Sequence, residues 1–183
     1  MFVEILRVDM ELVLVKDYVN QRNEKAPFYV GKYLVTEKQF LLLMNDFNER
    51  LPKGDEYPRI CISWFHAAYF CNRLSINHKL DPYYKFEKKP TDWVDYTVNP
   101  LANGYRLPTI HEWMHIQQND TIYAGGSNNL DEVAWYKENS GEKLQPVGQK
   151  KPNKLGIYDL SGNAWEWTER FNLDATKVRV MGG

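Results

Sequence analysis

The sequence predicts one domain of the α+β class in which much of the chain is irregular. Near the start, apolar and polar residues alternate in FVEILRV (2–8) and ELVLVKD (11–17), a pattern typical of half-buried strands. Later segments place apolar residues at helical spacing, which indicates helices with one buried face. In the last third, Gly, Asn, Pro and Ser recur too often for long regular elements.

The first elements are two alternating runs, a further strand and a helix. The runs 2–8 and 10–18 predict a β-hairpin, and FYVGKYLVT (28–36) predicts another strand. A helix then begins at Thr36 and Glu37, and we expect it to stop near Pro52. Its inward face is formed by apolar residues at helical spacing: Phe40, Leu43, Met44 and Phe47.

Two more helices follow, with short strands between them. The segment SWFHAAYFCNRLSINH (63–78) predicts a helix with Ser63 as its N-cap. Aromatic residues mixed with Lys, Pro and Asn over 83–104 favour short strands and loops. A third helix follows the Pro-Thr turn at 108–109. The turns of the second helix are marked by Phe65, Ala68, Tyr69, Asn72 and Ile76.

Composition limits the function classes. With 183 residues, 43% of them hydrophobic, the chain is expected to form a single domain, 1–183, that buries roughly 70% of its unfolded surface. Lys+Arg 23 against Asp+Glu 24 gives a net charge of -1, so neither nucleic acid nor a membrane is expected as a partner. The start lacks a signal-peptide pattern, and no apolar run reaches the ~20 residues that span a bilayer. We therefore expect a soluble, cytoplasmic protein.

A metalloprotease-like motif lies in the third helix. His111, Glu112 and His115 match H-E-x-x-H, which on a helix can hold Zn²⁺, and Glu132 is the nearest candidate for a third ligand. A capping box of Thr109 and Glu112 explains the same glutamate, and it places His111 near the positive end of the helix, where a dication is disfavoured. We therefore predict that the protein holds no zinc.

Four segments in this order resemble the formylglycine-generating enzyme (sulfatase-modifying factor) family. They are PFYVGKYLVTEKQF (27–40), CISWFHAAYFCNRLS (61–75), NGYRLPTIHEW (103–113) and PVGQKKPNKLGIYDLSGNAWEWT (146–168). The resemblance runs from about Pro27 to the end of the chain and implies a C-type-lectin-like fold with a few helices and a small twisted antiparallel sheet. The i, i+2 spacing of Trp165 and Trp167 predicts that both indoles point to one side and pack in the core.

The last of these segments also predicts a calcium site. Asp159 and Glu166 are two carboxylates with backbone carbonyls between them, and Ca²⁺ prefers such hard oxygen ligands. The resemblance assigns its ligands to the side chains of Asp159 and Glu166 and to the carbonyls of Gly162 and Ala164. In the alternative interpretation, Asp159 caps a turn and Glu166 pairs with a cation such as Arg106.

Two departures from the family pattern affect its metals. The family's other calcium site maps to Val133, which cannot act as a ligand, so at most one structural Ca²⁺ is expected. The family's enzymes bind copper with a cysteine pair beyond a segment that corresponds to the chain's last residues, and Cys61 and Cys71 correspond to neither member. The resemblance therefore implies that the catalytic segment is missing from this sequence. No copper is expected, and the two cysteines are interpreted as buried apolar side chains.

These observations lead to two hypotheses about function. The first is a non-catalytic ligand-binding or display module, of which the variable proteins of diversity-generating retroelements are one form. An unidentified protein or small ligand would contact its irregular C-terminal half, and a virion-associated location stays open. The alternative is a formylglycine-generating oxidase, acting on a sulfatase cysteine, without its catalytic C-terminal segment.

Overall fold

Short antiparallel ribbons make up the β-structure of the described part of the chain. The computed structural model describes residues 7–44, 54–90, 94–117, 123, 125–169 and 180–182. Within these ranges the elements agree with the predicted α+β class. Each ribbon pairs two strands: β1 (Leu12–Val15) with β2 (Phe28–Gly31), β3 (Tyr84–Phe86) with β4 (Tyr96–Val98), and β5 (Trp165–Trp167) with β6 (Val180–Gly182).

The first ribbon differs from the predicted hairpin. Residues 1–6 lie outside the described residues, and Arg7 and Val8 are not in a strand. Strand β1 pairs with β2 instead, from Leu12 opposite Gly31 to Val15 opposite Phe28. Val8 is buried against the helices rather than against β1. Alternation of apolar and polar residues indicates that a segment can form a half-buried strand, but it does not determine which strand it pairs with.

The helices begin where their caps predict. Thr36 accepts a hydrogen bond from the backbone N–H of Gln39 at 3.2 Å, and Ser63 accepts one from His66 at 3.2 Å. The first helix is shorter than predicted, since it ends at Leu43, and residues 45–53 lie outside the described residues. None of the helices in the described ranges has the length and apolar character needed to cross a membrane. The helices are α1 (Glu37–Leu43), α2 (Trp64–Asn77), α3 (Ile110–Gln117), α4 (Leu130–Val133) and α5 (Lys137–Ser140).

Helix α2 contributes to two of the three apolar clusters that form the core. One side of α2 packs against α1, and another packs against the β3–β4 ribbon. The remaining cluster joins the β1–β2 ribbon to α3 and to the segment 157–160. Of the residues that mark the turns of α2 in the sequence, Ile76 is exposed. The cluster at α3 contains Val15, Tyr18, Trp113, Ile116, Ile157 and Leu160.

Two tryptophan indoles join the start of α2 to the segment after β5. The indole N–H of Trp64 donates to the carbonyl of Thr168 at 2.9 Å. In the opposite direction, the indole N–H of Trp167 donates to the carbonyl of Ile62 at 3.0 Å. This tryptophan clasp, formed by Trp64, Thr168, Trp167 and Ile62, holds the end of β5 against the beginning of the longest helix.

A buried ion pair lies under α1. The side chains of Arg59 and Glu37 are only 4% and 1% exposed, and the guanidinium Nη1 lies 3.1 and 3.0 Å from the two carboxylate oxygens. The guanidinium also lies 4.7 Å from the centre of the Phe40 ring. Two opposite charges are thus held together inside the apolar cluster at α1.

Candidate cation site and binding surface

Glu112, the glutamate of the H-E-x-x-H motif, caps the start of α3. Its Oε2 accepts from the backbone N–H of Thr109 at 2.8 Å, and its own N–H donates to the Thr109 hydroxyl at 3.2 Å. These bonds are the two halves of the predicted capping box. Arg106 donates to both carboxylate oxygens, at 2.8 and 2.6 Å, so the carboxylate is already bound by a cation and a cap.

The two histidines of the motif line a shallow groove of about 230 Å³ beside the loop after β1. The ring of His115 contacts the ring of Tyr18 edge to face, and His111 contacts the side-chain amide of Gln21. Glu132, the candidate third ligand, pairs instead with Lys151, whose Nζ lies 2.6 Å from its carboxylate. Among the described residues, no three His, Cys, Asp or Glu side chains cluster as metal ligands would.

The segment between Asp159 and Glu166 is a tightly folded loop. Asp159, Gly162 and Asn163 all have positive φ, at 56°, 91° and 65°. At Gly162 a Cβ atom would collide with the carbonyl of Trp135, since the two backbones form a parallel bridge there. Gly162 is therefore required by close backbone approach as well as by its φ.

Both carboxylates of this loop are turned inward. Asp159 is 3% exposed and accepts a hydrogen bond from the backbone N–H of Gly148 at 2.8 Å. Glu166 accepts one from the indole N–H of Trp113 at 3.1 Å. Burial raises the pKa of Asp159, and burial raises the pKa of Glu166 to about 7, helped by the nearby Asp159 charge and opposed by the Trp113 bond.

Backbone oxygens converge on the same place. Around the position that a Cβ atom would take on Gly182, Glu166 Oε1 lies at 3.4 Å, the Ala164 carbonyl at 3.5 Å and the Leu160 carbonyl at 3.8 Å. The predicted ligands Glu166 and Ala164 are thus brought together. The carbonyl of Gly162 accepts from the N–H of Ala164 at 2.9 Å, which leaves one of its lone pairs for another partner.

The residues of this loop fit a divalent cation. No ion pair in the described part of the chain involves Asp159 or Glu166, so the buried carboxylate of Asp159 and the half-buried carboxylate of Glu166 have no neutralising side chain there. The alternative partner for Glu166 is wrong, because Arg106 pairs with Glu112; the turn contact of Asp159 expected in that interpretation is present. A set of carboxylate and carbonyl oxygens is the environment that Ca²⁺ prefers.

At the position of the family's other calcium site, Val133 is buried and packs on Gly125. A Cβ atom on Gly125 would collide with the Val133 side chain, so the two residues fit closely together. An apolar contact thus fills this place.

The cysteines lie in different surroundings. Cys61 is exposed and has a φ of 57°, whereas Cys71 is buried in α2, so the expectation of two buried thiols is correct only for Cys71. Burial raises the pKa of Cys71 to about 12, and the nearby Glu169 charge adds to the shift. Cys61 precedes α2 and Cys71 lies within it, so the two thiols differ in their access to solvent and to a metal ion.

The two tryptophans of β5 differ in burial. Trp167 is half-buried and belongs to the clasp, but Trp165 is 70% exposed, so its predicted core packing is wrong. Its cross-strand neighbour is Gly182, which has no side chain to cover the indole. A large apolar surface is thus displayed beside the oxygen cluster.

Comparison with known proteins gives a family and several relatives. The profile of the sulfatase-modifying factor enzyme 1-like domain matches residues 9–183. Chaperone protein LppX of Paenibacillus barcinonensis is 41% identical over 91% of this chain and 71% of its own length. The inactive C-alpha-formylglycine-generating enzyme 2 of Mus musculus is 31% identical over 50% of this chain and 34% of its own length.

Two solved structures share the fold. Variable protein 1 of Treponema denticola is 26% identical, with a TM-score of 0.67, and the match covers 94% of this chain and 74% of that one. CarF is 27% identical, with a TM-score of 0.73 and coverage of 94% and 85%. These matches agree with the C-type-lectin-like fold implied by the sequence motifs.

Proposed function

Because the chain belongs to the sulfatase-modifying factor enzyme 1-like family, we propose that it is a non-catalytic module of that family which binds a polypeptide partner. The arrangement of the cysteines carries this proposal. Cu(I) requires soft ligands placed together, whereas Cys71 is buried with a raised pKa and Cys61 lies on the surface before α2. This sequence contains no other cysteine.

Relatives without an enzymatic name support a polypeptide as the partner. One is named a chaperone, and chaperones act on polypeptides. Another is named inactive, and a third is a variable protein on the same fold. Binding of another polypeptide chain is the role that agrees best with these three names and with two cysteines that differ in exposure.

Trp165 supplies a contact surface for such a partner. An indole combines a large apolar area with few rotatable bonds, and tryptophans are enriched among the residues that dominate binding energy. This indole is held on β5 between Ala164 and Glu166, which are turned inward. It is therefore a fixed apolar group in the C-terminal half, where the sequence predicts ligand contacts.

We further propose that one structural Ca²⁺ is held by the loop 159–166. Asp159 and Glu166 would supply carboxylate oxygens, and Ala164 and Gly162 would supply carbonyls. The cation would offset the repulsion between two buried carboxylates and hold β5 in place. Its role would be structural, because it would hold together the loop that leads into β5.

Binding of an unfolded chain tests the proposed function. Reduced, carboxymethylated lactalbumin serves as the probe, because it exposes apolar segments and cannot refold. In fluorescence anisotropy we expect Trp165→Ser to weaken its binding about tenfold, which corresponds to ~1.4 kcal/mol. Tyr29→Ser is the matched control, since Tyr29 is also well exposed but lies on the first ribbon. Equal binding by the two variants would contradict a role for Trp165, and no binding by the unaltered protein would contradict this partner class.

Selective binding of one folded protein, with no affinity for the unfolded probe, would favour the display form of the module. Oxidation of a sulfatase-type peptide cysteine by this chain with copper and oxygen would favour the oxidase. The two measurements therefore separate all three candidates.

A further inference from the structure

Strand β6 lies directly on the oxygen cluster of the loop 159–166. Gly182 is the residue in contact, with three oxygens within 3.8 Å of the position where its Cβ would be. Its φ of 74° belongs to the left-handed region, which disfavours any other residue. The conformation of Gly182 thus favours a residue without a side chain, and a methyl group at this position would lie in van der Waals contact with the oxygens.

We infer that Gly182 closes the cation site, so that binding of a divalent hard cation and docking of β6 on β5 form one linked equilibrium. This inference rests on the proposed calcium loop and adds a residue from a distant part of the sequence to it. Gly182 acts as a positioning residue, because its backbone covers the oxygens and does not itself supply a ligand.

Electrostatics gives the linkage its direction. With β6 docked, Gly182 lies against the Glu166 carboxylate and the carbonyls of Ala164 and Leu160, so these oxygens lose part of their contact with water. When β6 is undocked, water reaches the same oxygens. A bound cation replaces the interactions with water that the docked form gives up, so it favours the docked strand.

The size of the effect follows from mass action. A cation that binds only the docked form reduces the undocked population by the factor 1 + [Ca²⁺]/Kd. At a free calcium concentration of one hundred times Kd, amide exchange from β6 should therefore slow by about 100-fold. Exchange in helix α1 should slow much less, because α1 packs in a different apolar cluster from the loop and β6.

Hydrogen exchange of the unaltered protein is the first test. Exchange of β6 and α1 is followed by mass spectrometry in calcium and in chelator, and calcium affinity is measured by titration calorimetry. We expect the slowing to be concentrated in β6. Calcium binding that leaves β6 exchange unchanged, or that slows α1 as much as β6, would overturn the linkage but leave the site standing. No calcium binding at all would overturn both.

Two glycine variants provide the second test. Gly182→Ala adds a methyl group against the oxygens, whereas Gly141→Ala imposes similar strain at φ 66° with no atom within 4 Å. We expect at least tenfold weaker calcium binding by the first variant and unchanged binding by the second. Equal affinities would show that Gly182 does not close the site.

Discussion

Replacing Glu112 by alanine tests the interpretation of the H-E-x-x-H motif most directly. The substitution removes the acceptor for the Thr109 amide and for two bonds from Arg106. If the glutamate serves the helix start, the protein loses stability. If it serves a zinc site, the main loss is metal binding and hydrolysis.

The expected loss follows from these contacts. Losing the reciprocal half of a capping box costs about 0.5–1 kcal/mol. Bonds to a charged group contribute about 1.5–3 kcal/mol, but the Arg106 side chain is 31% exposed and water replaces part of that contribution. We therefore expect Glu112→Ala to lower the free energy of unfolding by about 2–4 kcal/mol. Glu112→Gln keeps an acceptor for the cap and should cost less.

The charge also predicts a pH dependence. Burial alone would raise the pKa of Glu112, but the hydrogen bonds and charge of Arg106, with the Thr109 cap, lower it overall. A lowered folded-state pKa gives stability that is complete above the unfolded-state value of about 4.3 and is lost as the pH falls through the folded-state value. The stability difference between the unaltered protein and Glu112→Gln should therefore shrink below about pH 4.

Urea unfolding followed by circular dichroism, at several pH values and with or without zinc, measures both effects. A loss under about 0.5 kcal/mol for Glu112→Ala, which is close to the error of urea unfolding, would refute the capping argument. Stoichiometric zinc, together with peptide hydrolysis that the substitution abolishes, would refute it independently.

Three further predictions test other parts of the structure. Calcium should raise the melting temperature, and Asp159→Ala should remove that rise; a chelator without effect on the unaltered protein, and no calcium by elemental analysis, would contradict the site. Replacing Cys61 and Cys71 together by alanine should cost about 1–2 kcal/mol, mostly at Cys71, and leave probe binding unchanged. By mass spectrometry, any formylglycine that depends on these thiols would contradict the non-catalytic proposal. Arg59→Met should cost about 3–5 kcal/mol because it removes a buried cation that lies against the Glu37 carboxylate, whereas adding Glu37→Leu should recover part of the loss; simple additivity in urea unfolding would refute the coupling.

Local signals were sufficient for the helix starts but not for strand pairing. The caps at Ser63 and Thr109 are confirmed because side chain and backbone partner lie within three residues of each other. The partner of β1 depends on which segment completes the cluster around Trp113, and alternation near the start contains no information about that.

The candidate site shows the same division. The carboxylates of Asp159 and Glu166 are visible in the sequence, and the structure turns both inward. The Leu160 carbonyl has no sequence signal because every residue has one, and Gly182 joins the loop only through strand pairing. For Trp165, the spacing along the strand predicts on which side of the β5–β6 ribbon the indole lies. It does not predict whether another part of the chain covers that side.

The tryptophan clasp has a consequence for biosynthesis. Its two bonds span 104 and 105 residues of sequence, so the start of α2 acquires these partners only after Thr168 has been made. Closing so long a loop costs chain entropy before any contact offsets it, and such contacts form late in folding. During translation, Trp64 therefore leaves the ribosome more than one hundred residues before the carbonyl that satisfies its indole, and the nascent chain carries an incomplete core for most of its synthesis.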